Sequence, residues 1–344
     1  MPRTRSEPRP EPAVQTARRR PHLLLFAAAA LLLAGFGLWG RFPDPREFLA
    51  ALTGASPGWL ALAAALQTAS LAAFAWQQRQ MLRALGVRLT IGFAMTVTLA
   101  RTAISISLPA GSAVSAGYAI REYQRAGATR EISAASMIVS CLASIGGLTL
   151  LYAAGGAAVL TSDPALLLSP RPLTVVAVLA VLTAGVVLLG RRQLSRPQPA
   201  DTGQAGAVRK LLASAREAWQ AGAALRARDW VVAVLTFSVN WLTDLLCLAA
   251  TCRAVGLPVG VMTLAGIYLG VQIVRQVPLT PGGVGVVDTA LVAGLTAAGA
   301  TAVTAAAAVV LYRLLSCWLL LPAGGAAALY LRRTRSGAAA GHPA

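Results

Sequence analysis

Charged residues are scarce in this chain. Only 12% of its 344 residues are Asp, Glu, Lys or Arg, whereas 56% are hydrophobic. A typical soluble domain carries about 25% charged residues. The deficit excludes a water-soluble enzyme and a disordered chain, and the long apolar runs predict an integral membrane protein. Among the charged residues the acidic ones are the minority, with 12 Asp and Glu against 30 Lys and Arg. Because the basic residues flank apolar runs, we expect no nucleic-acid partner.

Histidine and cysteine are also rare. The two histidines, His22 and His342, lie at the two ends of the chain, which excludes a histidine-ligated metal or a histidine proton relay in the membrane core. The cysteines lie in or beside apolar runs without a C-x-x-C pair, so we expect neither disulfides nor a thiolate metal site. No D-x-D or D-D-x-x-D motif occurs. We therefore expect no metal, no cofactor and no enzymatic activity.

The apolar runs predict an all-α fold, a polytopic integral membrane helix bundle. A full crossing needs about 20 residues. Six runs are long enough: 22–40, 57–76, 132–160, 173–190, 230–252 and 302–331. Three fall short: 93–108, 261–277 and 284–299. The predicted organisation is a transmembrane domain over 21–333 with disordered tails over 1–20 and 334–344.

The basic residues predict the orientation of the spans. Most of them lie in the N-terminal tail, after the second run, before Ile132, in the loop 191–229 and after the last run. The positive-inside rule places these segments in the cytoplasm, with both termini inside a bacterial-type plasma membrane. The run 93–108 lies between two cytoplasmic segments, so it must enter and leave on the same side. We predict a re-entrant hairpin that turns at Pro109-Ala110-Gly111.

A second break of the same kind follows the run 261–277. It reads Pro278-Leu279-Thr280-Pro281-Gly282-Gly283. If it is also re-entrant, it enters from the opposite side, and two opposed broken helices would form an inverted repeat with a transport site between them. Two short full spans satisfy the topology equally well, so both alternatives stay open.

The loop 191–229 contains an amphipathic stretch. Apolar residues recur at helical spacing over 208–219, with Arg209, Lys210 and Arg216 on other faces. The pattern predicts a basic helix on an anionic inner leaflet. The alternative is a solvated linker helix.

Five charged residues lie inside the predicted spans: Arg101, Asp244, Arg275, Asp288 and Arg313. Each costs about 2.5–3.5 kcal/mol on the insertion scale, so each needs a reason. If they converge, they form a pocket suited to an anionic group. Asn240 shares a helix face with Asp244, and Gln272 shares one with either Arg275 or Gln276. The alternative is structural, with Arg275–Asp288 and Arg313–Asp244 as closed ion pairs.

A glycine-rich turn separates the last two short runs. Glycines let a backbone approach a ligand, and free N–H groups at a helix start attract phosphate. The turn is not a P-loop, because no G-K-[ST] follows. We expect four of its residues to contact an anion: Pro281, Gly282, Gly283 and Gly285.

The stretch 275–291 resembles the P-x-t-P-G-G-l-G-v-x-E-x-a-l signature of the lysylphosphatidylglycerol synthase transmembrane (flippase-like) family. Arg313, in Leu311-Tyr312-Arg313, is similar to the family's later Y-R, and Leu108-Pro109-Ala110-Gly111 to its first l-P-x-G element. Asp288 stands where the family has Glu. The sequence Gly111-Ser112-Ala113-Val114 replaces the usual G-G-x-G.

The resemblance implies translocation of an anionic phospholipid or a lipid-linked phosphate. Arg275, Arg101 and Arg313 would attract the phosphate, and Asp288 with Asp244 would hold the arginines. The full synthases also carry a soluble aminoacyl-tRNA-dependent transferase domain, which we expect this chain to lack. The alternative function is a non-transporting membrane partner of a lipid-modifying enzyme.

Overall fold

The structure, a computed structural model, describes residues 45–108, 111–162, 220, 225–275 and 280–340. Every regular element in these ranges is helical, which confirms the all-α prediction. The α-helices are α1 (Pro45–Thr53), α2 (Pro57–Ala84), α3 (Ile91–Ser107), α4 (Gly111–Arg125), α5 (Arg130–Ser162), α6 (Ala227–Ala254), α7 (Val261–Arg275), α8 (Val286–Ala297), α9 (Ala302–Arg313) and α10 (Leu320–Ala340). The predicted spans 22–40 and 173–190, the tail 1–20 and the amphipathic stretch 208–219 lie outside the described residues.

Within the described ranges, four helices are long and apolar enough to cross a membrane. They are Pro57–Ala84, Arg130–Gly155, Ala227–Ala254 and the joined helix Ala302–Thr334. Each coincides with one of the predicted full spans, so the chain is a polytopic helical membrane protein. α1 is an additional helix in a segment where no span is predicted, and it starts with proline at a position that proline favours.

Two of these spans, α2 and α6, form an antiparallel pair over their whole lengths. The Ser56 N–H donates to the Ala254 carbonyl at 2.8 Å, at one end of the pair. Half-way along, Asn240 Nδ2 donates to the Ser70 carbonyl at 2.9 Å. α5 also packs against α6, at Gly147, where an added Cβ would lie 2.8 Å from the Ser238 nitrogen. Small residues therefore set the spacing of these helices.

The last long helix is interrupted by a π-helical turn, Leu314–Trp318. The Leu319 N–H donates to the Leu314 carbonyl at 2.9 Å, five residues back. Pro322 follows, and a proline inside a helix lacks a donor and clashes with the carbonyl four residues before it. The wider turn therefore lies where the proline would otherwise strain the helix. The helix then runs to Ala340, past residue 333, where the transmembrane domain was predicted to end.

The first predicted hairpin consists of α3 and α4, which pack against each other. α3 has 17 residues, so it rises about 26 Å, less than the hydrocarbon thickness of about 30 Å. At the turn, the Gly111 N–H donates to the Leu108 carbonyl at 3.0 Å. This arrangement has the form that the charge distribution predicts.

The second hairpin consists of α7 and α8, which also pack against each other. α7 has 15 residues and α8 has 12, which correspond to rises of about 22 Å and 18 Å. Neither helix reaches across about 30 Å of hydrocarbon. Of the two alternatives left open by the sequence, the re-entrant hairpin therefore fits the structure better than two full spans.

Candidate functional site

The tips of the two hairpins touch each other. A Cβ added to Gly282, in the second tip, would lie 2.9 Å from Ile106 Cγ2 and 3.1 Å from the Ile106 carbonyl oxygen, next to the first tip. Gly282 also has φ 60° and Gly283 has φ 69°, and residues with a Cβ rarely adopt these backbone angles. Glycine is therefore required here both for the backbone turn and for the close approach of the hairpins.

Arg313, at the end of α9, binds the tip of the second hairpin. Its Nη2 donates to the Gly282 carbonyl at 3.0 Å, and its Nε lies 2.7 Å from Asp288 Oδ1. The other carboxylate oxygen of Asp288 accepts the Gly285 N–H at 2.9 Å, at the start of α8. The Arg313 side chain is only 5% exposed. The buried ion pair thus holds the tip, α8 and α9 in one arrangement.

Asp244, on α6, accepts hydrogen bonds from two tyrosine hydroxyls. Tyr268 from α7 donates to Asp244 Oδ2 at 2.6 Å, and Tyr312 from α9 donates to the same oxygen at 2.9 Å. All three side chains are buried. The two hydroxyls offset part of the cost of burying the carboxylate. Asp244 is thus held by three helices, and it forms no direct ion pair with any residue that the structure describes.

Arg275, the last residue of α7, interacts electrostatically with Asp244, Tyr268 and Tyr312. Its side chain is exposed. No carboxylate among the described residues lies within ion-pair distance of it. Gln272, one turn earlier, is buried, and its Oε1 has no hydrogen-bond partner in the described chain. Arg275 is thus an exposed cation close to the buried Asp244.

Cys317 lies close to the Arg313–Asp288 ion pair and to Arg275. It is buried in the π-helical turn and interacts electrostatically with Arg313, Arg275 and Asp288. The central cluster is therefore a single site made of six residues: Asp244, Tyr268, Arg275, Asp288, Tyr312 and Arg313. Four of the five predicted charged residues belong to it, and it lies beside the contact between the hairpins.

The pairing inside the cluster differs from the alternative that the sequence suggested. Arg313 pairs with Asp288 instead of Asp244, because α9 ends beside the glycine-rich tip. Two N–H groups of the glycine-rich turn already have acceptors within the chain. The Gly283 N–H donates to the Thr280 carbonyl at 3.1 Å, and the Gly285 N–H is taken by Asp288. Pro281, which opens this turn, has no N–H to offer.

Two predicted site residues lie elsewhere. Asn240 bonds to Ser70 and joins α6 to α2, although it precedes Asp244 by one helical turn. Arg101 lies over the Phe74 ring, with its guanidinium carbon 5.0 Å from the ring centroid, and is close to Tyr123. One of its nitrogens, Nη1, is buried without a hydrogen-bond partner in the described chain.

Arg101 borders a second polar group, the glutamine cluster, made of Gln77, Gln78, Tyr123 and Ser140. Gln78 Nε2 donates to Ser140 Oγ at 2.9 Å, and Gln77 Nε2 donates to the same atom at 3.2 Å. All four side chains are buried. The cluster joins α2, α4 and α5 through hydrogen bonds between polar side chains of neighbouring helices.

Sequence reasoning missed the tyrosines of the central cluster. Tyr268, Gln272 and Arg275 are spaced by four and three residues, so they share one face of α7. That spacing was a usable signal, because all three carry polar groups in an otherwise apolar run. Tyr312 was noted only as part of a motif, and nothing in the sequence indicated that its hydroxyl meets Asp244.

The central cluster carries one exposed guanidinium, that of Arg275, and one oxygen of the nearby Asp244 carboxylate accepts two tyrosine hydroxyls. A guanidinium is a donor suited to carboxylate and phosphate groups. Within the described ranges, no group of three or more His, Cys, Asp or Glu side chains could hold a metal ion. The fold and the site thus define a polytopic membrane protein with a charged site at the junction of two broken helices.

The sequence also matches a family. Residues 24–324 match the lysylphosphatidylglycerol synthase TM region. This match covers most of the chain, and the chain therefore belongs to that family, as its glycine-rich motif predicted. No curated protein matches the sequence significantly. Membership establishes a membrane protein with a lipid-related function.

Proposed function

We propose that this protein translocates an anionic phospholipid or a lipid-linked phosphate across the membrane. One observation carries the proposal. Arg275 is exposed and close to Asp244, and no carboxylate among the described residues lies within ion-pair distance of it. An arginine inside a membrane is costly unless a counter-charge meets it. A phosphate that reaches the guanidinium would supply that charge.

The neighbours of Arg275 favour a reversible interaction. Asp244 lies near enough to interact with Arg275, but its Oδ2 already accepts two tyrosine hydroxyls. The carboxylate attracts the guanidinium from beyond ion-pair distance, so a phosphate can compete for it. Arg313 differs, because Asp288 and the Gly282 carbonyl already occupy it. We assign the phosphate contact to Arg275 and a positioning role to Arg313.

The contact between the hairpin tips supports the inverted-repeat interpretation. If the first hairpin enters from the cytoplasm and the second from outside, touching tips lie near the middle of the bilayer. Broken helices that meet at the midplane are where transporters of this architecture bind their substrates. We propose this orientation, with both termini in the cytoplasm and the chain in a bacterial-type plasma membrane.

The proposal is tested with the purified chain in phosphatidylcholine vesicles that contain a trace of fluorescent phosphatidylglycerol. Added dithionite destroys fluorescence in the outer leaflet only. We expect the protein to make nearly all of the fluorescence accessible, and R275A to reduce this to the level of protein-free vesicles. R253A is the matched control, since Arg253 is also exposed and lies at the far end of α6.

Each outcome of this experiment decides something. Transport by R275A at the wild-type rate refutes the role of Arg275. Absence of transport by a folded wild-type chain refutes the translocator and favours the partner of a lipid-modifying enzyme. Mass spectrometry of the recovered lipid is expected to show an unchanged mass, because we propose movement without chemistry. A changed mass would refute that part of the proposal.

A further inference from the structure

A cavity away from the central cluster opens between the end of α2 and the start of α6. Its volume is about 630 Å³, within the range of about 300–1,000 Å³ typical of pockets for small ligands. The described residues that line it include Trp76, Gln77, Arg83, Arg226 and Arg228. Because α2 and α6 are antiparallel, the two ends that form the cavity lie on the same side of the bundle.

The cavity is positively charged. Arg83 contributes from α2, and Arg226 and Arg228 contribute from the start of α6, whereas Asp229 is the one acidic residue among the lining side chains described. All three arginines are exposed. None forms an ion pair within the part of the chain that the structure describes. Three cations that converge on one concavity with a single carboxylate leave a net charge that attracts an anion.

The other walls suit a group that lies at the membrane surface. Trp76 is 37% exposed, and tryptophan is enriched at the level of the lipid headgroups. Gln77 lines the cavity and also bonds to Ser140 in the glutamine cluster. One wall of the cavity is therefore polar and connects to a buried hydrogen-bonded network.

We propose that this cavity binds the phosphate of an anionic phospholipid from the cytoplasmic leaflet. Basic pockets between transmembrane helices on the cytoplasmic side are suited to acidic headgroups. The inference rests on the orientation given under the proposed function, but it does not rest on transport. The arginines bind the phosphate, and Trp76 lies beside the glycerol and the first acyl carbons.

The test uses the full chain in a neutral detergent, titrated with phosphatidylglycerol or with phosphatidylcholine of the same acyl chains. Bound lipid is counted by native mass spectrometry. The variant R226Q/R228Q removes two of the three cations. We expect its affinity for phosphatidylglycerol to fall about thirty-fold, since each interfacial arginine contributes to anionic lipid binding. Its affinity for phosphatidylcholine is expected to stay unchanged.

The matched control is R88Q/R130Q, which removes two exposed arginines on the same predicted side that do not line the cavity. It is expected to bind phosphatidylglycerol as the wild type does. Equal losses in both double variants would show a general surface-charge effect and overturn the proposal. So would an unchanged affinity in R226Q/R228Q.

Two further arms separate the remaining possibilities. Displacement of phosphatidylglycerol by millimolar inorganic phosphate would show that free phosphate is the ligand and would overturn the assignment to a lipid. R275A is expected to lose transport and to keep phosphatidylglycerol bound in this cavity. Binding that persists in a wild type without transport would refute the proposed function and leave this inference standing.

Discussion

The ion pair between Arg313 and Asp288 gives a sharp test of how the central cluster is held together. The substitution Asp288→Asn keeps the size of the side chain and removes its charge. Arg313 would then remain as a buried cation, with its bond to the Gly282 carbonyl as the contact left to the second hairpin tip. Asp288→Glu is the matched control, because it keeps the charge and provides the residue usual at this motif position.

The magnitude follows from the burial of the pair. Removing one partner of a fully buried ion pair costs about 3–5 kcal/mol, because the other charge is left uncompensated. The Arg313 side chain is 5% exposed and the Asp288 side chain is 28% exposed, so solvent reduces the penalty. We expect Asp288→Asn to lower the free energy of unfolding by about 2–3 kcal/mol. Asp288→Glu should cost less than half of that, since Glu at the third helical position also caps a helix start.

The assay is unfolding in mixed micelles with increasing dodecyl sulfate, followed by tryptophan fluorescence. The double variant with Arg313→Gln closes a mutant cycle, and the two changes together are expected to cost clearly less than the sum of the single changes. Additive costs would show that the two side chains do not interact. Asp288→Asn as stable as the wild type would refute the ion pair as a holding contact.

The other predictions concern single contacts of the bundle. Tyr268→Phe and Tyr312→Phe each remove one hydroxyl from the buried Asp244, so each should lower the free energy of unfolding by about 1.5–3 kcal/mol, measured in the same micelles; no loss in either variant would contradict the shared acceptor. Gly324→Ala places a methyl group against the backbone of α3 and should cost about 1–3 kcal/mol. Gly325→Ala meets open space and should cost nothing measurable, and equal effects of the two alanines would refute the close helix contact.

The sequence was sufficient for the membrane class and for most of the span boundaries. The cost of placing charge in hydrocarbon limits where the arginines can lie, and this limit acts on each segment separately. For the same reason, two cytoplasmic segments around the run 93–108 predict a hairpin, and α3 and α4 have that form. The cost argument also singles out five charged residues inside the predicted spans, and four of these five meet in the central cluster.

The partners of those charges depended on the tertiary structure. Each helix can rotate about its axis and shift in depth without changing its hydrophobic pattern. Such motions decide whether Arg313 reaches Asp288 or Asp244, and the π-helical turn before Pro322 changes the rotation again. Asn240 illustrates the point, because it shares a face with Asp244 and yet bonds to Ser70 on α2.

The sequence alone determined that the chain lies in a membrane, that its helices break at two Pro-Gly turns and that a few charges inside it require an explanation. The tertiary structure alone decided that the two turns touch, that tyrosines occupy Asp244 and that Arg275 stays accessible. The reason is physical: hydropathy is a property of each segment, whereas a contact depends on how several helices are placed together.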